Sequence, residues 1–105
     1  MSYTLTESDV VYVSFYLMDE DPLSGSLTYH TLSGADSIVF RMRKYGATAN
    51  AIEATMAVVD ASQGYCRVLV TVPSAGIYES EVEVYEGAIA LTWVGPTFHV
   101  REELG

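Results

Sequence analysis

The sequence predicts an all-β protein, an antiparallel β-sandwich of about seven strands around one core. Three observations support this prediction. Turn-forming residues recur about every ten positions, apolar and polar residues alternate with a period of two in several segments, and no segment carries a helix-length 3.6-residue pattern. The lack of helical periodicity argues against a βαβ fold. A length of 105 residues, half of them hydrophobic, suits one domain with one core.

The chain begins with a polar segment, residues 1–9, which predicts a flexible N-terminal arm or an edge segment ahead of a domain over residues 10–105. Residues 10–18, VVYVSFYLM, indicate a strand rather than a helix, because β-branched and aromatic residues favour strands. The more apolar face of this strand consists of Val11, Val13, Phe15 and Leu17. The acidic run that leads to Pro22 is predicted to end the strand in a solvated loop.

Four further strands are predicted in the middle of the chain. Residues 27–31 indicate a short strand, and residues 37–43 indicate a longer one with two arginines on its outer face. Residues 51–59 contain alanines that are compatible with a helix, but their alternating pattern favours a strand. Residues 65–72 are predicted to form the next strand, after a hairpin loop.

The clearest strand signal lies in residues 78–84, where Tyr78, Ser80, Val82 and Val84 alternate with carboxylates. The carboxylates are Glu79, Glu81 and Glu83. This alternation is typical of a half-buried antiparallel strand with one face in water. Gly87 then permits a hairpin turn, because glycine readily adopts a positive φ. The returning strand, residues 88–94, is interrupted at Gly95-Pro96 and continues over residues 97–101.

The net charge is −9, from 14 acidic and 5 basic residues. Phosphate backbones and anionic lipid surfaces need clustered Lys and Arg, so this composition disfavours nucleic-acid and membrane partners. Neither a signal peptide nor a membrane span is expected, because the N-terminus lacks a basic start and no apolar run reaches about 18 residues. The single cysteine, Cys66, excludes an internal disulfide and is expected to be a buried, inert thiol.

Candidate catalytic or metal-binding residues are few. Four carboxylates could supply oxygen ligands for calcium, namely Asp19, Glu20, Asp21 and Asp36. Their spacing is not that of an EF-hand loop, and a solvated acidic turn is favoured. The two histidines, His30 and His99, form no Cys–His nucleophile signature with Cys66. We therefore expect no enzyme activity, no cofactor and no metal ion.

The eight tyrosines are the feature that a buried core explains least. Tyrosine buries a large area while keeping a polar tip, so it is enriched at protein interfaces, although it also lines the rims of sandwiches. The only tryptophan is assigned first to core packing and second to an interface anchor. The candidate interface residues are Tyr3, Tyr12, Tyr16, Tyr29, Tyr45 and Trp93.

Gly76-Ile77-Tyr78, placed just before the alternating strand, resembles the tyrosine corner of immunoglobulin-like domains. In that corner a Tyr hydroxyl bonds to the backbone a few residues upstream. Ser80 stands where an antibody domain carries its second cysteine, so the resemblance implies a relative without a disulfide. The expected fold is therefore an all-β, immunoglobulin-like antiparallel β-sandwich of about seven strands, with Gly76 and Tyr78 forming the corner.

The order of short motifs along the chain extends this resemblance. The motifs are Leu17-Met18-Asp19, Pro22-Leu23, Leu32-Ser33-Gly34-Ala35, Ile38-Val39-Phe40-Arg41-Met42, Gly64-Tyr65, Gly76-Ile77-Tyr78 with Glu81, and Phe98-His99-Val100. Over residues 9–101 this order resembles the immunoglobulin-like N-terminal domain of the phage baseplate upper protein family. In that family the domain attaches a larger protein to the virion.

The resemblance implies a structural virion protein of a tailed bacteriophage, made in the host cytoplasm. Proteins of that family continue into a coiled-coil stalk and a receptor-binding module, which these 105 residues lack. We therefore expect a small stand-alone docking domain of the tail, baseplate or neck, whose partners are other virion proteins and copies of itself. Capsid decoration on the phage head is the alternative. A carbohydrate-binding or adhesion module, with Trp93 and tyrosines stacking on sugars, is a further alternative.

Overall fold

The computed structural model describes residues 2–104, which form eleven strands and one short 3-10 turn at Ala61–Gln63. In chain order the strands are β1 (Ser2–Thr6), β2 (Val10–Tyr16), β3 (Met18–Glu20), β4 (Leu27–Tyr29), β5 (Ser37–Lys44), β6 (Ile52–Thr55), β7 (Ala57–Asp60), β8 (Tyr65–Thr71), β9 (Gly76–Glu86), β10 (Ile89–Val94) and β11 (Thr97–Arg101). The predicted all-β class is confirmed.

The strands assemble into two large sheets and a hairpin. A six-stranded sheet has the order β1-β11-β9-β5-β6, with β10 also paired to β9. A three-stranded sheet has the order β2-β8-β7, and β3 with β4 forms the hairpin. The prediction of purely antiparallel pairing is wrong at β1, which runs parallel to β11. These two strands come from opposite ends of the chain, and no local pattern in the sequence reports such a pairing.

One hydrophobic core lies between the two large sheets. The six-stranded sheet contributes Ile38, Phe40, Met42, Val82 and Val84, and the three-stranded sheet contributes Val13, Cys66 and Val70. The rings of Phe15 and Phe40 meet across this core with centroids 5.8 Å apart. The arrangement is therefore sandwich-like, with apolar residues of both sheets facing inward at alternate positions.

Strand β9 occupies the centre of the six-stranded sheet and follows the predicted alternation. Its inward residues are Tyr78, Ser80, Val82 and Val84, and Glu79, Glu81 and Glu83 point outward. The break at Gly95-Pro96 is fixed by Ser80, whose hydroxyl donates to the Pro96 carbonyl oxygen at 2.6 Å. A Cβ atom on Gly95 would lie 2.4 Å from the Ser80 Oγ, so any larger residue would displace this hydroxyl.

Residues 51–59 form strands, as predicted, but they belong to two sheets. Strand β6 pairs with β5 in the six-stranded sheet, and β7 pairs with β8 in the three-stranded sheet. Met56, between them, is buried, and its amide donates to the Ile38 carbonyl oxygen at 2.8 Å. The chain thus changes sheets at Met56, and this change divides one predicted strand into two.

Two segments near the N-terminus also differ from the simplest expectation. The sequence predicts two alternatives for residues 1–9, a flexible arm and an edge segment. Residues 2–6 form an edge segment, strand β1, rather than a flexible arm. The predicted loop after Met18 is wrong for Asp19 and Glu20, which lie in β3 and pair with β4. A ladder of three residues is too short to leave a periodic signal in the sequence.

Tyr78 forms a hydrogen bond of the kind that a tyrosine corner requires. Its buried hydroxyl donates to the Ser74 carbonyl oxygen at 2.6 Å, four residues upstream. Gly76 begins β9 with φ of +154°, and the Lys44 side chain lies against its α-carbon. The bond therefore holds the entry of β9 to the turn that precedes it.

We predict that Tyr78→Phe destabilises the fold by about 1 kcal/mol, because it removes one buried hydrogen bond and keeps the ring. Urea unfolding followed by circular dichroism would measure this loss. Tyr12→Phe is the matched control, since the Tyr12 ring is exposed, and its change should stay within about 0.5 kcal/mol. Equal stabilities for the two variants would contradict the stabilising role of the bond from Tyr78 to Ser74.

The expectation of a buried thiol is confirmed, because Cys66 is free and fully buried. A second prediction follows from this burial. Burial raises the pKa of the Cys66 thiol to about 11, from 9.0 for an exposed thiol. The folded chain therefore holds this proton more tightly than the unfolded chain, and stability falls as pH rises above about 9. Cys66→Ala should show a smaller loss of unfolding free energy between about pH 8 and 10.5 than the wild type. Parallel pH profiles would contradict this assignment.

Candidate protein interface

The two large sheets present chemically different outer faces. On the six-stranded sheet, outward arginines of β5 lie opposite outward glutamates of β9. Arg43 Nη2 lies 3.1 Å from Glu79 Oε1, and Arg41 Nη1 lies 2.7 Å from Glu83 Oε1. Arg41 Nε also reaches Glu53 on β6 at 3.1 Å. The predicted acidic outer face is confirmed, and two cross-strand arginines form ion pairs with its four glutamates.

Glu83 is the centre of this charged face. The Tyr85 hydroxyl and the Arg41 guanidinium both donate to its carboxylate, and they hold the pKa of Glu83 below its usual value. The hydrogen bond to Tyr85 and the contact with Glu83 also raise the pKa of Arg41. This face is a satisfied, solvated surface, and it offers few unpaired groups to a partner.

The outer face of the three-stranded sheet is apolar and aromatic. Along β2 the outward residues are Val10, Tyr12, Ser14 and Tyr16, and β8 places Thr71, Leu69, Arg67 and Tyr65 opposite them. The exposed fractions are 61% for Val10, 58% for Tyr12, 54% for Tyr16 and 53% for Leu69. Arg67 is the only charged residue in these two strands. Exposed apolar residues grouped in this way are candidates for a protein interface.

Aromatic contacts organise this patch. The Tyr16 ring stacks on Tyr65 with centroids 4.4 Å apart and also meets Tyr29 of the β3–β4 hairpin at 6.4 Å. The Arg67 guanidinium lies over the Tyr12 ring, 4.5 Å from its centroid. We define the tyrosine face as Val10, Tyr12, Tyr16, Tyr29, Tyr65, Arg67 and Leu69. These contacts fix the orientation of rings that remain about half exposed.

A groove of about 820 Å³ runs along β2. It lies between β2 and β1, and the turn between β10 and β11 contributes to its floor. The lining includes Tyr3, Leu5, Val11, Phe15, Pro96 and Phe98, and none of the described residues that line it is charged. The Tyr3 ring packs on Phe98 with centroids 6.0 Å apart.

The five tyrosines among the sequence-predicted interface residues lie in three locations. Tyr12, Tyr16 and Tyr29 come together on the tyrosine face, and Tyr3 lies on the opposite wall of the groove. Tyr45 follows β5 and borders a smaller pocket on the six-stranded sheet. Sequence reasoning missed four residues of the tyrosine face, Val10 of β2 and Tyr65, Arg67 and Leu69 of β8. Tyr65, Arg67 and Leu69 occupy alternate positions of β8, which marks them as outward. Only the register between β2 and β8 shows which β2 residues they face.

Trp93 lies half-buried against the core rather than on the tyrosine face. Its indole nitrogen donates to the Met18 carbonyl oxygen at 2.9 Å, and its ring meets His30 with centroids 5.0 Å apart. The His30 ring in turn lies between Asp19 at 2.8 Å and Glu86 at 3.2 Å. These contacts attach the β3–β4 hairpin to the end of the sandwich.

Two further candidate calcium ligands, Asp21 and Asp36, accept hydrogen bonds within the chain. The Asp21 carboxylate accepts from the Leu23 amide at 2.8 Å, and hydrogen bonds of this turn lower its pKa. The Asp36 carboxylate accepts from the Gly87 amide at 2.7 Å. Within residues 2–104, no group of three or more His, Cys, Asp or Glu side chains has an arrangement that could hold a metal ion.

No protein-family model and no curated protein matches this chain. In the described part of the chain, no helix is long and apolar enough to cross a membrane. The assignment of the site therefore depends on the geometry of the chain itself.

We predict that the Glu83 carboxylate makes the fold sensitive to acid. Because its pKa is lower in the folded chain than in the unfolded chain, its contribution to stability is present above about pH 4.5 and is lost as pH falls through the folded pKa. Glu83→Gln should reduce the loss of the urea midpoint between about pH 5 and 3. Glu102→Gln, at an exposed C-terminal position, is the control and should follow the wild type. A Glu83→Gln profile as steep as that of the wild type would contradict the prediction.

Proposed function

We propose that this protein is a structural protein of a tailed-bacteriophage virion, a small docking domain of the tail, baseplate or neck that acts by binding other virion proteins and copies of itself. The observation that carries the proposal is the tyrosine face. It is a contiguous apolar surface of tyrosines around one arginine, and tyrosine and arginine are enriched at the energetic centres of protein interfaces. The proposed mechanism is assembly by burial of this face, without chemistry.

The strand order supports an immunoglobulin-like assignment of the fold. In immunoglobulin domains one sheet contains strands B, E and D in adjacent positions, and the other contains C, F and G. The order β2-β8-β7 corresponds to B-E-D, and β5-β9-β11 corresponds to C-F-G. The bond from Tyr78 to the Ser74 carbonyl corresponds to the tyrosine corner at the start of strand F.

The location in the virion rests on the resemblance to the N-terminal domain of the phage baseplate upper protein family. The charge distribution agrees with such a role, because β2 and β8, which form most of the tyrosine face, contain no acidic residue. A net charge of −9 would keep the chain soluble before assembly and would disfavour binding to nucleic acid. The partner would then be a protein surface, with localisation in the virion.

Immunogold labelling of purified particles from a culture that encodes the chain tests the proposal. Label on the tail, baseplate or neck is expected. Label on the head surface would replace this location with capsid decoration, and particles without label would contradict the proposal.

We predict that Tyr12→Glu lowers incorporation of the chain into particles by about tenfold or more, because it places an unpaired charge within the buried centre of the interface. Thr48→Glu, at an exposed position in the loop that follows β5, is the control and should be incorporated normally. Quantitative mass spectrometry of particles produced with a mixture of wild-type and variant chains measures the ratio. Equal incorporation of Tyr12→Glu and wild type would exclude the tyrosine face as the assembly surface.

A further inference from the structure

We infer that the free edge of β2 binds an extended segment of a partner protein, which adds to the three-stranded sheet as a fourth strand. The segment has about seven uncharged residues that favour strands, with Lys or Arg at both ends. This inference rests on the proposed function, because it names the partner chemistry for the same surface. It goes further by specifying main-chain recognition.

The register of β2 shows which backbone groups are available. The Leu17 amide donates to the Gly64 carbonyl oxygen at 2.9 Å, and the Val72 amide donates to the Asp9 carbonyl oxygen at 2.8 Å. Odd-numbered residues of β2 therefore direct their backbone groups toward β8, as alternate residues do in an antiparallel ladder. The even-numbered residues Val10, Tyr12, Ser14 and Tyr16 direct theirs to the opposite side. Strand β2 has no pairing partner there among the described residues.

The β2 edge lacks the features that normally protect sheet edges. Residues 10–18 contain no charged residue and no proline, and β2 pairs regularly with β8 over seven residues. By contrast, β7 at the opposite edge of the same sheet has a register shift between Val58 and Asp60. Long, regular and uncharged edges recruit additional strands, and natural proteins usually block them. An edge left in this form is suited to strand addition.

The groove beside β2 supplies side-chain recognition. Successive side chains of an added strand point to opposite faces of the sheet, so alternate side chains would enter the groove. Its walls are Tyr3 and Leu5 of β1 on one side and Phe15 on the other. The remaining side chains would extend the tyrosine face beside Tyr12 and Tyr16. Apolar residues are therefore favoured at the inward positions of the segment, and β-branched or aromatic residues are favoured at the outward ones.

Carboxylates near the two ends of β2 indicate which residues the partner segment carries at its own two ends. Asp9 precedes β2, and Glu20 follows it in the adjoining hairpin; both are exposed, and neither forms an ion pair within residues 2–104. Glu7 and Asp19 add further negative charge near these ends. A basic residue at each end of the segment complements these carboxylates. A second copy of the chain would instead bring another net charge of −9 to the same place.

Fluorescence anisotropy with two labelled peptides tests the inference. The first peptide, KKVTVYVTVKK, carries lysines at both ends, and the second, EEVTVYVTVEE, carries glutamates around the same core. The lysine peptide should bind, with affinity that falls as salt rises. The glutamate peptide should bind at least about tenfold more weakly. Failure of the lysine peptide to bind, or equal binding of the two peptides, would overturn the inference.

Two variants assign the binding to the β2 edge. Ser14→Pro removes an amide that points to the free edge, and proline is tolerated at such positions, so the lysine peptide should bind about tenfold more weakly. Circular dichroism would confirm that this variant remains folded. The double variant Asp9→Lys with Glu20→Lys leaves the edge intact and should reverse the preference between the peptides. Retained preference in the double variant, or unchanged affinity in a folded Ser14→Pro chain, would overturn the inference.

Sedimentation velocity without peptide examines self-association. A monomer at all concentrations supports a partner segment, whereas a dimer that Ser14→Pro abolishes would assign the edge to a second copy and overturn the inference. A different experiment, particle incorporation, tests the proposed function. Normal particle incorporation of Tyr12→Glu would exclude the tyrosine face, while peptide binding at the β2 edge would remain measurable.

Discussion

The antiparallel ladder between β5 and β9 is the interaction on which the rest of the structure depends. It pairs eight residues of each strand, and Phe40 and Val82, which face each other within it, are fully buried. The other edge of β9 holds β10 and β11, and β11 holds β1. Five of the six strands in this sheet are therefore positioned, directly or through one neighbour, by β9. The ladder also places arginines opposite glutamates on the outer face.

The distribution of strands between the sheets produces the candidate interface. Strand β1 pairs with β11 and completes the six-stranded sheet, which leaves the three-stranded sheet without a strand beside β2. Strand β2 consequently carries part of the tyrosine face, and it has an open hydrogen-bonding edge that lies beside an apolar groove. A surface with these three properties favours recognition of backbone and side chains together. The parallel pairing at one edge thus determines what is available at the other.

In both β2 and β9 outward residues alternate with inward ones, but the two outer faces differ in chemistry. In β9 the outward residues are glutamates, and the register supplies them with arginine partners from β5. In β2 the outward residues are mainly apolar or aromatic, and the register supplies tyrosine, leucine and one arginine. The first face is electrostatically satisfied within the chain. The second retains apolar area that water solvates poorly, and burial against another protein would stabilise it.

Local patterns in the sequence were sufficient for the all-β class, for the alternation of β5 and β9, for the turn at Gly87 and for the buried state of Cys66. They also identified tyrosines of β2 as interface candidates. They could not show the parallel pairing of β1 with β11, the change of sheet at Met56 or the grouping of Tyr65 and Leu69 with Tyr12. A period of two reveals which residues share a face of one strand. Which strands become neighbours, and which edge stays open, is decided by contacts between distant segments, so only the tertiary structure shows them.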